Sequence, residues 1–358
     1  MPSVMIRLMQ DQDVDSCLAI FRDHGLVESA HGLRTFQTVC PEGCYVATDE
    51  ETGERNRVPG NYLRISHASS FFDPLLPSFF RFRLWEHSRP SYILICAYPL
   101  LATIPSGEVI GMCIGNALDP RAATIGFYGV KPGFQGLGIG RKVWNAVMAF
   151  LGPDRNVSLY SSPAEREMYK NKAGFGIEDG VQMIVYESHG STINQIAPVG
   201  DDTLEIQVLP TMDLMDEVVA FDEALIGVNR GCLLRLSLRE PQTISFIAVD
   251  PKDKKVLGYG AMRATNYMDG RTMLAPLYAT SYTVAKVILY NLMINYPSSM
   301  EKGFFAFVLN TNPDAQKLVE AAGLTAHFGA PRLLTQEPIT GVDESQVFGL
   351  LSPDFAPY

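Results

Sequence analysis

The pattern of apolar and polar residues predicts strands and helices in alternation. Short apolar runs rich in β-branched residues are typical of strands, whereas apolar residues three or four apart are typical of one helix face. The strand-like runs include VMIRLM, YILICAY, EVIGMCI and VSLYSS, and the helix-like segments include VDSCLAIFRDHG and RKVWNAVMAFL. We therefore expect an α/β (α+β) protein in which a mixed central sheet is flanked by helices.

The same order of elements is predicted twice along the chain. GEVIGMCIGN around Gly111 is similar to KKVLGYGAMR around Gly258, and MYKNKAGF around Gly174 is similar to KLVEAAGL. The matched glycines are 63 residues apart in the first half (174 − 111) and 65 apart in the second (323 − 258). Two matches at nearly equal spacing indicate two copies of one fold.

The boundary between the copies is predicted from composition. Residues 188–203 have few large apolar side chains and no clear period, which is typical of a linker. We predict a first domain at 1–187 and a second at 204–358. The chain of 358 residues is also long for one hydrophobic core.

Charge and hydropathy exclude several partners. The net charge is −10, whereas nucleic acids and anionic membranes favour positive surfaces. The least polar segment, 92–104, contains Pro99 and is shorter than the roughly 20 residues of a membrane-spanning helix, so we predict a buried strand and then a turn. The start MPSVMIRLMQ has no signal-peptide pattern, and we expect a cytoplasmic monomer or homodimer.

The six cysteines do not predict a metal site. Cys40 and Cys44 are close together in CPEGC, but His31 is the one further soft ligand near them, and a structural zinc site needs four ligands. We expect no metal, and reduced thiols of the kind found in cytosolic proteins.

The segment 128–142, YGVKPGFQGLGIGRK, carries the strongest chemical signal. A strand, a glycine-rich turn and a helix bring free backbone N–H groups and the positive end of a helix dipole together, which is typical of a phosphate site. The dinucleotide fingerprint is G-x-G-x-x-G with a later acid, and the Walker loop needs Gly-Lys before Ser or Thr. Neither pattern fits Gly136, Gly138 and Gly140.

The pattern that does fit is Gln-x-x-Gly-x-Gly, from Gln135 to Gly140. It resembles the acyl-CoA pyrophosphate loop of the GNAT superfamily of N-acetyltransferases, and AEREMYKNKAGF adds the tyrosine and Gly-Phe pair that this family carries on a later helix. The resemblance covers about residues 1–187, and the second half looks like the C-terminal domain of two-domain GNAT proteins of the YitH type. It implies acetyl-CoA as co-substrate, bound by Val130, Gln135, Gly136, Leu137, Gly138, Ile139, Gly140, Arg141 and Lys142.

Local charge also favours CoA at this loop. Residues 121–172 contain eight Lys or Arg and three acids, a local charge of +5 in an acidic chain. A positive segment is where a polyanion such as CoA is expected to bind. The alternative is a solvated helix face that is basic by chance.

The resemblance further implies roles in acyl transfer. In the family the strand before the loop is bulged at its end and a backbone N–H there binds the thioester oxygen; Val130 is the matching position, and Pro132 is expected to help the strands part. Tyr169 matches the tyrosine that protonates the CoA sulfur, since a phenol of pKa about 10 is a competent acid toward a thiolate of pKa near 8.5. The alternative for Tyr169 is a packed, hydrogen-bonded helix residue.

No general base is assigned from the sequence. The strand TIGFYGV has no acid or histidine, and Tyr128 is its nearest polar side chain. Four other residues lie in segments that could line the acceptor slot, although a surface position is the more ordinary interpretation of each: Asp119, His24, Glu28 and His31.

The second copy departs from the family pattern. TMLAPLYATSY has no glycine, and Leu318 stands where the first copy has Tyr169. We predict that one CoA binds per chain, in the first copy, and that Asp222, Gly227 and Arg230 are structural or acceptor-facing. The sequence thus favours an acetyl-CoA-dependent N-acetyltransferase of a small amine; a protein acetyltransferase and a non-catalytic acyl-CoA-binding protein are the alternatives.

Overall fold

The computed structural model describes six ranges of the chain: 4–22, 27–39, 98–103, 108–117, 119–198 and 207–354. Some of the sequence interpretations concern residues outside these ranges. They are those for His24, for Cys40 and Cys44, for 92–97 and for the end of the predicted linker.

The described elements of the first half follow the predicted order, and they are β1 (Met5–Leu8), α1 (Val14–Arg22), α2 (Ala30–Thr38), β2 (Tyr98–Thr103), β3 (Val109–Ala117), β4 (Ala122–Val130), α3 (Ile139–Leu151), β5 (Asn156–Tyr160), α4 (Arg166–Lys172) and β6 (Ile177–Glu187). Helix α3 illustrates why they form. Val143, Val147 and Leu151 are spaced four apart and fully buried, so they make one apolar face. This face packs so closely on β3 that a Cβ at Gly115 would lie 2.6 Å from Val147.

The second half repeats this order with one extra helix and one extra strand. Its described elements are β7 (Gln207–Pro210), α5 (Met215–Ile226), α6 (Gly231–Ser237), β8 (Ile244–Val249), β9 (Val256–Ala264), β10 (Thr272–Ala279), α7 (Tyr282–Asn295), α8 (Pro297–Glu301), β11 (Phe304–Leu309), α9 (Pro313–Ala321), β12 (Thr325–Leu334) and β13 (Val347–Gly349). The additions are α8 and β13. The repeat of the order confirms two tandem copies of one mixed α/β fold.

All thirteen described strands belong to one sheet. Its order is β1-β2-β3-β4-β5-β12-β6-β11-β10-β9-β8-β7, with β13 paired to β10. The pairs β4·β5 and β10·β11 are parallel, and the central pairs β5·β12, β12·β6 and β6·β11 are antiparallel. The sheet is therefore mixed, as predicted, but it continues from one copy into the other.

The copies exchange one strand each. Strand β12 of the second half lies between β5 and β6 of the first, and β6 lies between β12 and β11 of the second. The exchanged strands pair over their length, from Thr325 opposite Glu187 to Leu334 opposite Ile177. Each half thus completes the sheet of the other.

The described part of the predicted linker, 188–198, packs on the second half. The N–H groups of Ser191 and Thr192 donate to the carbonyls of Met300 and Ala322 at 2.9 and 3.1 Å. Ile196 is fully buried in the core of the second half. This segment therefore continues the packing between the halves.

Strand β2 corrects the turn predicted at Pro99. The strand runs through this proline, which lies opposite Ile114 of β3. On its other side, β1 pairs with β2 from Leu100 onward, so among the described strands Pro99 has a neighbour on one side alone. A proline lacks the N–H that a second neighbour would need, which explains why it is accommodated there.

Candidate functional site

One cavity brings the glycine loop together with parts of both halves. Its volume is about 990 Å³. On the loop it is lined by Gln135, Gly136, Gly138, Ile139, Gly140 and Arg141. From the second half it is lined by Tyr267, Phe305, Phe307, His327, Phe328 and Asp354. Leu137 and Lys142 lie outside this wall and are exposed.

The loop leaves several backbone donors free for a ligand. Gly136 and Gly138 both have φ +76°, a conformation that favours glycine, and a Cβ on either would meet open space. Helix α3 begins at Ile139, and the first N–H to bond within the turn is that of Lys142, to Gly138 at 3.2 Å. The N–H groups before it are the orphan donors of a helix start, which suit an anion.

Gln135 fixes the loop to the strand before it. Its Nε2 donates to the carbonyl of Val130 at 3.0 Å. This hydrogen bond accounts for the glutamine in the motif, because the side chain holds the turn that presents the backbone N–H groups.

Part of the positive charge near the loop is already paired. Arg166 and Lys170 contact Glu178 at 2.5 and 3.1 Å, which lowers the pKa of that carboxyl. Lys131 pairs with Glu108. The local charge of +5 therefore overstates what is available to CoA, and Arg141 is the cation on the cavity wall next to the loop.

The family resemblance implied a bulge at the end of strand β4, at Val130. The structure places the bulge before the end of the strand. In the ladder with β3, Cys113 alone lies opposite two residues, Phe127 and Tyr128. Phe127 has φ +48°, which is unusual for a residue with a side chain. Its buried ring packs edge-on against Phe21, with centroids 5.0 Å apart, and this packing holds the bulge in place.

Val130 nevertheless directs its N–H toward the cavity side. The N–H of the next residue, Lys131, donates to Ile110 of β3 at 2.8 Å, and successive N–H groups of a strand point in opposite directions. The parallel pairing of β4 with β5 is confined to 122–124 and 156–158. The strands thus part well before Pro132, so this proline is not what separates them.

Tyr169 lies against the cavity in an aromatic cluster. It is 8% exposed, and its ring is 5.5 Å from Trp144 and 6.3 Å from Phe175. Burial, followed by the charge of Glu165, raises the pKa of the phenol well above its usual range. Tyr169 therefore stays protonated at all ordinary pH values. The packing with Trp144 and Phe175 fits the alternative of a packed helix residue as well, and the acid role of Tyr169 stays a prediction.

Tyr128 lies between the bulge and the loop. Its ring packs edge-on against Trp144 at 5.4 Å, and a Cβ at Gly140 would lie 2.3 Å from its hydroxyl. A side chain at position 140 would therefore displace the Tyr128 hydroxyl. Burial raises the pKa of Tyr128, so this residue does not fit the role of a base.

The candidate acceptor residues of the first half occupy other positions. Glu28 is 1% exposed and pairs with Arg263 at 3.0 Å, so the expectation of a surface position was wrong for this residue. The carboxylate of Asp119 accepts the N–H groups of Arg121 and Ala122, both at 2.6 Å, and closes a turn. Neither Asp119 nor His31 lines the cavity.

Asp354 is a cavity residue that the sequence did not indicate. It lies near the end of the chain, more than two hundred residues from the loop, and its oxygen Oδ2 is shielded from solvent with no hydrogen-bond partner in the described structure. Burial and the neighbouring charge of Glu28 raise the pKa of its carboxyl to about 7. No local sequence motif indicates Asp354, because its place in the cavity depends on packing between the two halves.

Comparison with known proteins identifies the family. The sequence pattern of the GNAT acetyltransferase family matches residues 62–175. A second pattern, of a GNAT acetyltransferase domain, matches residues 218–349. The chain belongs to the GNAT family.

Two curated relatives are similar over part of their length. The chain is 26% identical over 182 residues to the uncharacterized protein F36G3.2 of Caenorhabditis elegans, covering 50% of this chain and 56% of that one. It is 29% identical over 202 residues to holothin acyltransferase of Pseudoalteromonas sp. (strain SANK 73390), covering 56% and 63%. The matched region thus spans about three fifths of each relative.

Two solved structures share the fold over nearly the whole chain. An acetyltransferase-like protein of Pyrococcus horikoshii superposes with a TM-score of 0.65 at 17% identity, over 99% of this chain and 97% of that one. A tandem GNAT protein from the clavulanic acid biosynthesis pathway superposes with a TM-score of 0.55 at 11% identity, over 93% and 98%. The tandem GNAT architecture is therefore shared.

The second GNAT copy lacks the glycine loop. Two residues join β10 to α7, compared with the eight residues 131–138 between β4 and α3. Ser281 caps α7 and accepts the N–H of Val284 at 3.4 Å, so this donor is already bonded. The short connection supports the prediction that the second copy does not hold CoA.

The slot of the second GNAT copy is filled by the chain itself. Strand β13 pairs with β10, with Val347 opposite Tyr278, and the N–H of Leu350 donates to Phe307 of β11 at 2.9 Å. This segment lies between the two strands, where the first copy has its cavity.

Asp222, Gly227 and Arg230 have structural roles. Asp222 and Arg230 form a buried ion pair at 2.8 Å, and Arg230 also donates to the hydroxyl of Tyr278 at 3.0 Å. Gly227 ends α5 with φ +77°, where glycine is favoured. Of the two interpretations from sequence, the structural one describes these residues.

Within the described ranges, no group of three or more His, Cys, Asp or Glu residues is arranged to hold a metal ion. No helix in the described part of the chain is long and apolar enough to cross a membrane.

Proposed function

We propose that this GNAT protein transfers an acetyl group from acetyl-CoA to the primary amine of a small molecule. The observation that carries the proposal is the continuous cavity of about 990 Å³ that joins the glycine loop to an aromatic space lined by the second half. A concave site of this size with aromatic side chains and a few polar groups is typical of small-molecule binding.

The loop side of the cavity suits the donor. The free N–H groups at the start of α3 and the guanidinium of Arg141 bind the pyrophosphate, because both present positive charge at one point. The slot between the parted strands β4 and β5 accepts the pantetheine arm. The N–H of Val130 then polarises the thioester oxygen, and the hydroxyl of Tyr169 protonates the departing thiolate.

The opposite side of the cavity suits a small acceptor. Tyr267, Phe305 and Phe307 provide ring surfaces there, and Glu187 adds a carboxylate on the same wall. Phe305 and Phe307 belong to β11, the neighbour of the exchanged strand β6, so the second half covers the side at which a protein segment would need an open groove. A small amine with an apolar body therefore fits better than a peptide chain.

A relative's name also supports this class of acceptor. The Pseudoalteromonas relative is named for acylation of holothin. Because the name specifies acyl rather than acetyl transfer, longer acyl-CoA thioesters belong in the experiment.

The test uses the full chain with acetyl-CoA and longer acyl-CoA thioesters against small aliphatic amines, small aromatic amines and peptides. Thiol release is measured with and without acceptor. We expect acceptor-dependent release with a small amine and little with peptides. Turnover confined to peptides would show a protein acetyltransferase, and acyl-CoA binding without turnover would show a binding protein.

A further inference from the structure

The last described segment of the chain leads from the second copy into the cavity of the first. After β13, the N–H of Leu351 donates to the hydroxyl of Tyr278 at 3.0 Å, which also accepts from Arg230 of the buried ion pair. Pro353 and Asp354 then line the cavity. The filled slot of the second copy therefore anchors a segment whose end reaches the other site.

A buried ion cluster between the halves holds this segment a second time. Arg263 of β9 pairs with Glu28 and with Glu240 at 3.0 and 2.9 Å. The hydroxyl of Ser352 donates to Glu28 at 3.5 Å and accepts the N–H of Asp354 at 3.3 Å. Partners in both halves thus fix the backbone of Asp354.

Close packing places Asp354 beside the bulge of β4. A Cβ at Gly126 would lie 2.2 Å from the backbone carbonyl oxygen of Asp354, so this glycine makes room for the segment. Asp354 and Tyr169 line the same cavity, and the charge of Asp354 contributes to the raised pKa of Tyr169. A carboxylate therefore lies where the first copy's own strand has no acid or histidine.

We propose that Asp354, delivered by the second copy, is the general base for acyl transfer in the first copy. This inference rests on the proposed function, and it gives the second copy, with its filled slot, a part in the reaction. It also defines the acceptor more closely, as an amine that enters as the ammonium ion and is deprotonated in the cavity.

The carboxylate of Asp354 takes one proton from the ammonium, and the nitrogen lone pair attacks the thioester carbon. As the C–N bond forms, the C–S bond breaks and its electron pair remains on sulfur, which takes the proton of Tyr169. The proton that the new amide nitrogen loses restores the phenol, and Asp354 returns its proton to solvent, so one proton is released per turnover.

The surroundings of the carboxyl suit this role. Burial and the charge of Glu28 raise its pKa to about 7, close to the value at which a general base works best near neutral pH. The titratable and charged groups that share its cavities or act on its charge include Glu28, Tyr128, Tyr160, Glu165, Tyr169, Glu187, Arg263, His327 and Arg332. Arg332 is paired with Asp179, whereas Arg263 pairs with Glu28 itself, so burial is the main cause of the raised pKa.

The experiment compares wild type, Asp354→Asn, Asp354→Glu and the control Asp154→Asn, whose residue is exposed. For each, kcat is measured against pH with saturating acetyl-CoA and acceptor, and acetyl-CoA affinity is measured by calorimetry. We expect wild-type kcat to fall as the pH drops below about 7. Asp354→Asn should lower kcat by at least about 10²-fold and abolish the fall of kcat at acid pH (the acid limb of the profile), with acetyl-CoA affinity unchanged. Asp354→Glu should restore the acid limb. The control Asp154→Asn should match wild type.

Other results would overturn the inference. If kcat of active wild type does not fall at acid pH near 7, Asp354 is not the base. The same follows if folded Asp354→Asn keeps both its kcat and its pH dependence. In either case acyl transfer itself stands. Because the wild-type profile alone can give the first result, the test holds even if a variant does not fold. If wild type acylates no amine at all, the proposed function fails and the base assignment fails with it.

Discussion

Asp354→Asn should remove a pH-dependent loss of folding stability. The carboxyl has a pKa of about 7 in the folded protein, against an ordinary value of 3.8, so the folded state binds this proton more tightly than the unfolded chain. Its contribution is therefore fully present below the unfolded pKa and is lost as the pH rises through about 7. The difference between the two pKa values corresponds to about 4 kcal/mol of unfolding free energy. Because an asparagine does not titrate, the variant keeps its stability over this pH range.

Urea unfolding of wild type and Asp354→Asn at about pH 5 and about pH 8 measures this effect. Titration of one such carboxyl should lower the unfolding free energy of wild type, relative to the variant, by roughly 2 to 3 kcal/mol over that interval. The variant's buried amide adds a constant cost, so the pH dependence is the readout. If both proteins lose the same free energy, Asp354 has an ordinary pKa in the folded state and the account of its burial is wrong.

Three further outcomes are expected. Tyr169→Phe keeps the packing with Trp144 and should lower kcat by at least about 10²-fold with acetyl-CoA affinity unchanged; a loss of melting temperature with intact kcat would contradict the acid role. Gly138→Val should abolish calorimetric acetyl-CoA binding, whereas Gly341→Val, at an equally open position with φ +88°, bears the same backbone strain and should bind normally. Titration with acetyl-CoA should saturate at one equivalent per chain; two equivalents would show that the second copy also binds.

The sequence predicted the parts of this protein that depend on neighbouring residues. The glycine loop could be recognised because positive φ at Gly136 and Gly138 and the start of α3 are local requirements. The two copies were visible because each repeats its own order of strands and helices. The aromatic position of Tyr169 followed from spacing on one helix.

The features that sequence did not reveal depend on distant residues. The exchange of β6 and β12 pairs Glu187 with Thr325. No local sequence pattern specifies which strand pairs with the edge of another. Glu28 looks like a surface acid until Arg263, 235 positions away, is placed beside it. Asp354 becomes part of the cavity through the same long-range packing, which is why no base could be assigned from the sequence of the first copy.

The central claim is acyl transfer to an amine in the cavity between the two GNAT copies. Its most direct test is the mass of the acceptor after incubation with acetyl-CoA and the full chain, recorded together with the amount of free thiol. We expect a small amine to gain one acetyl group for each thiol released, and Tyr169→Phe to leave no more than a residual rate. Thiol release that does not depend on an amine, or an acceptor whose mass stays unchanged, would contradict it.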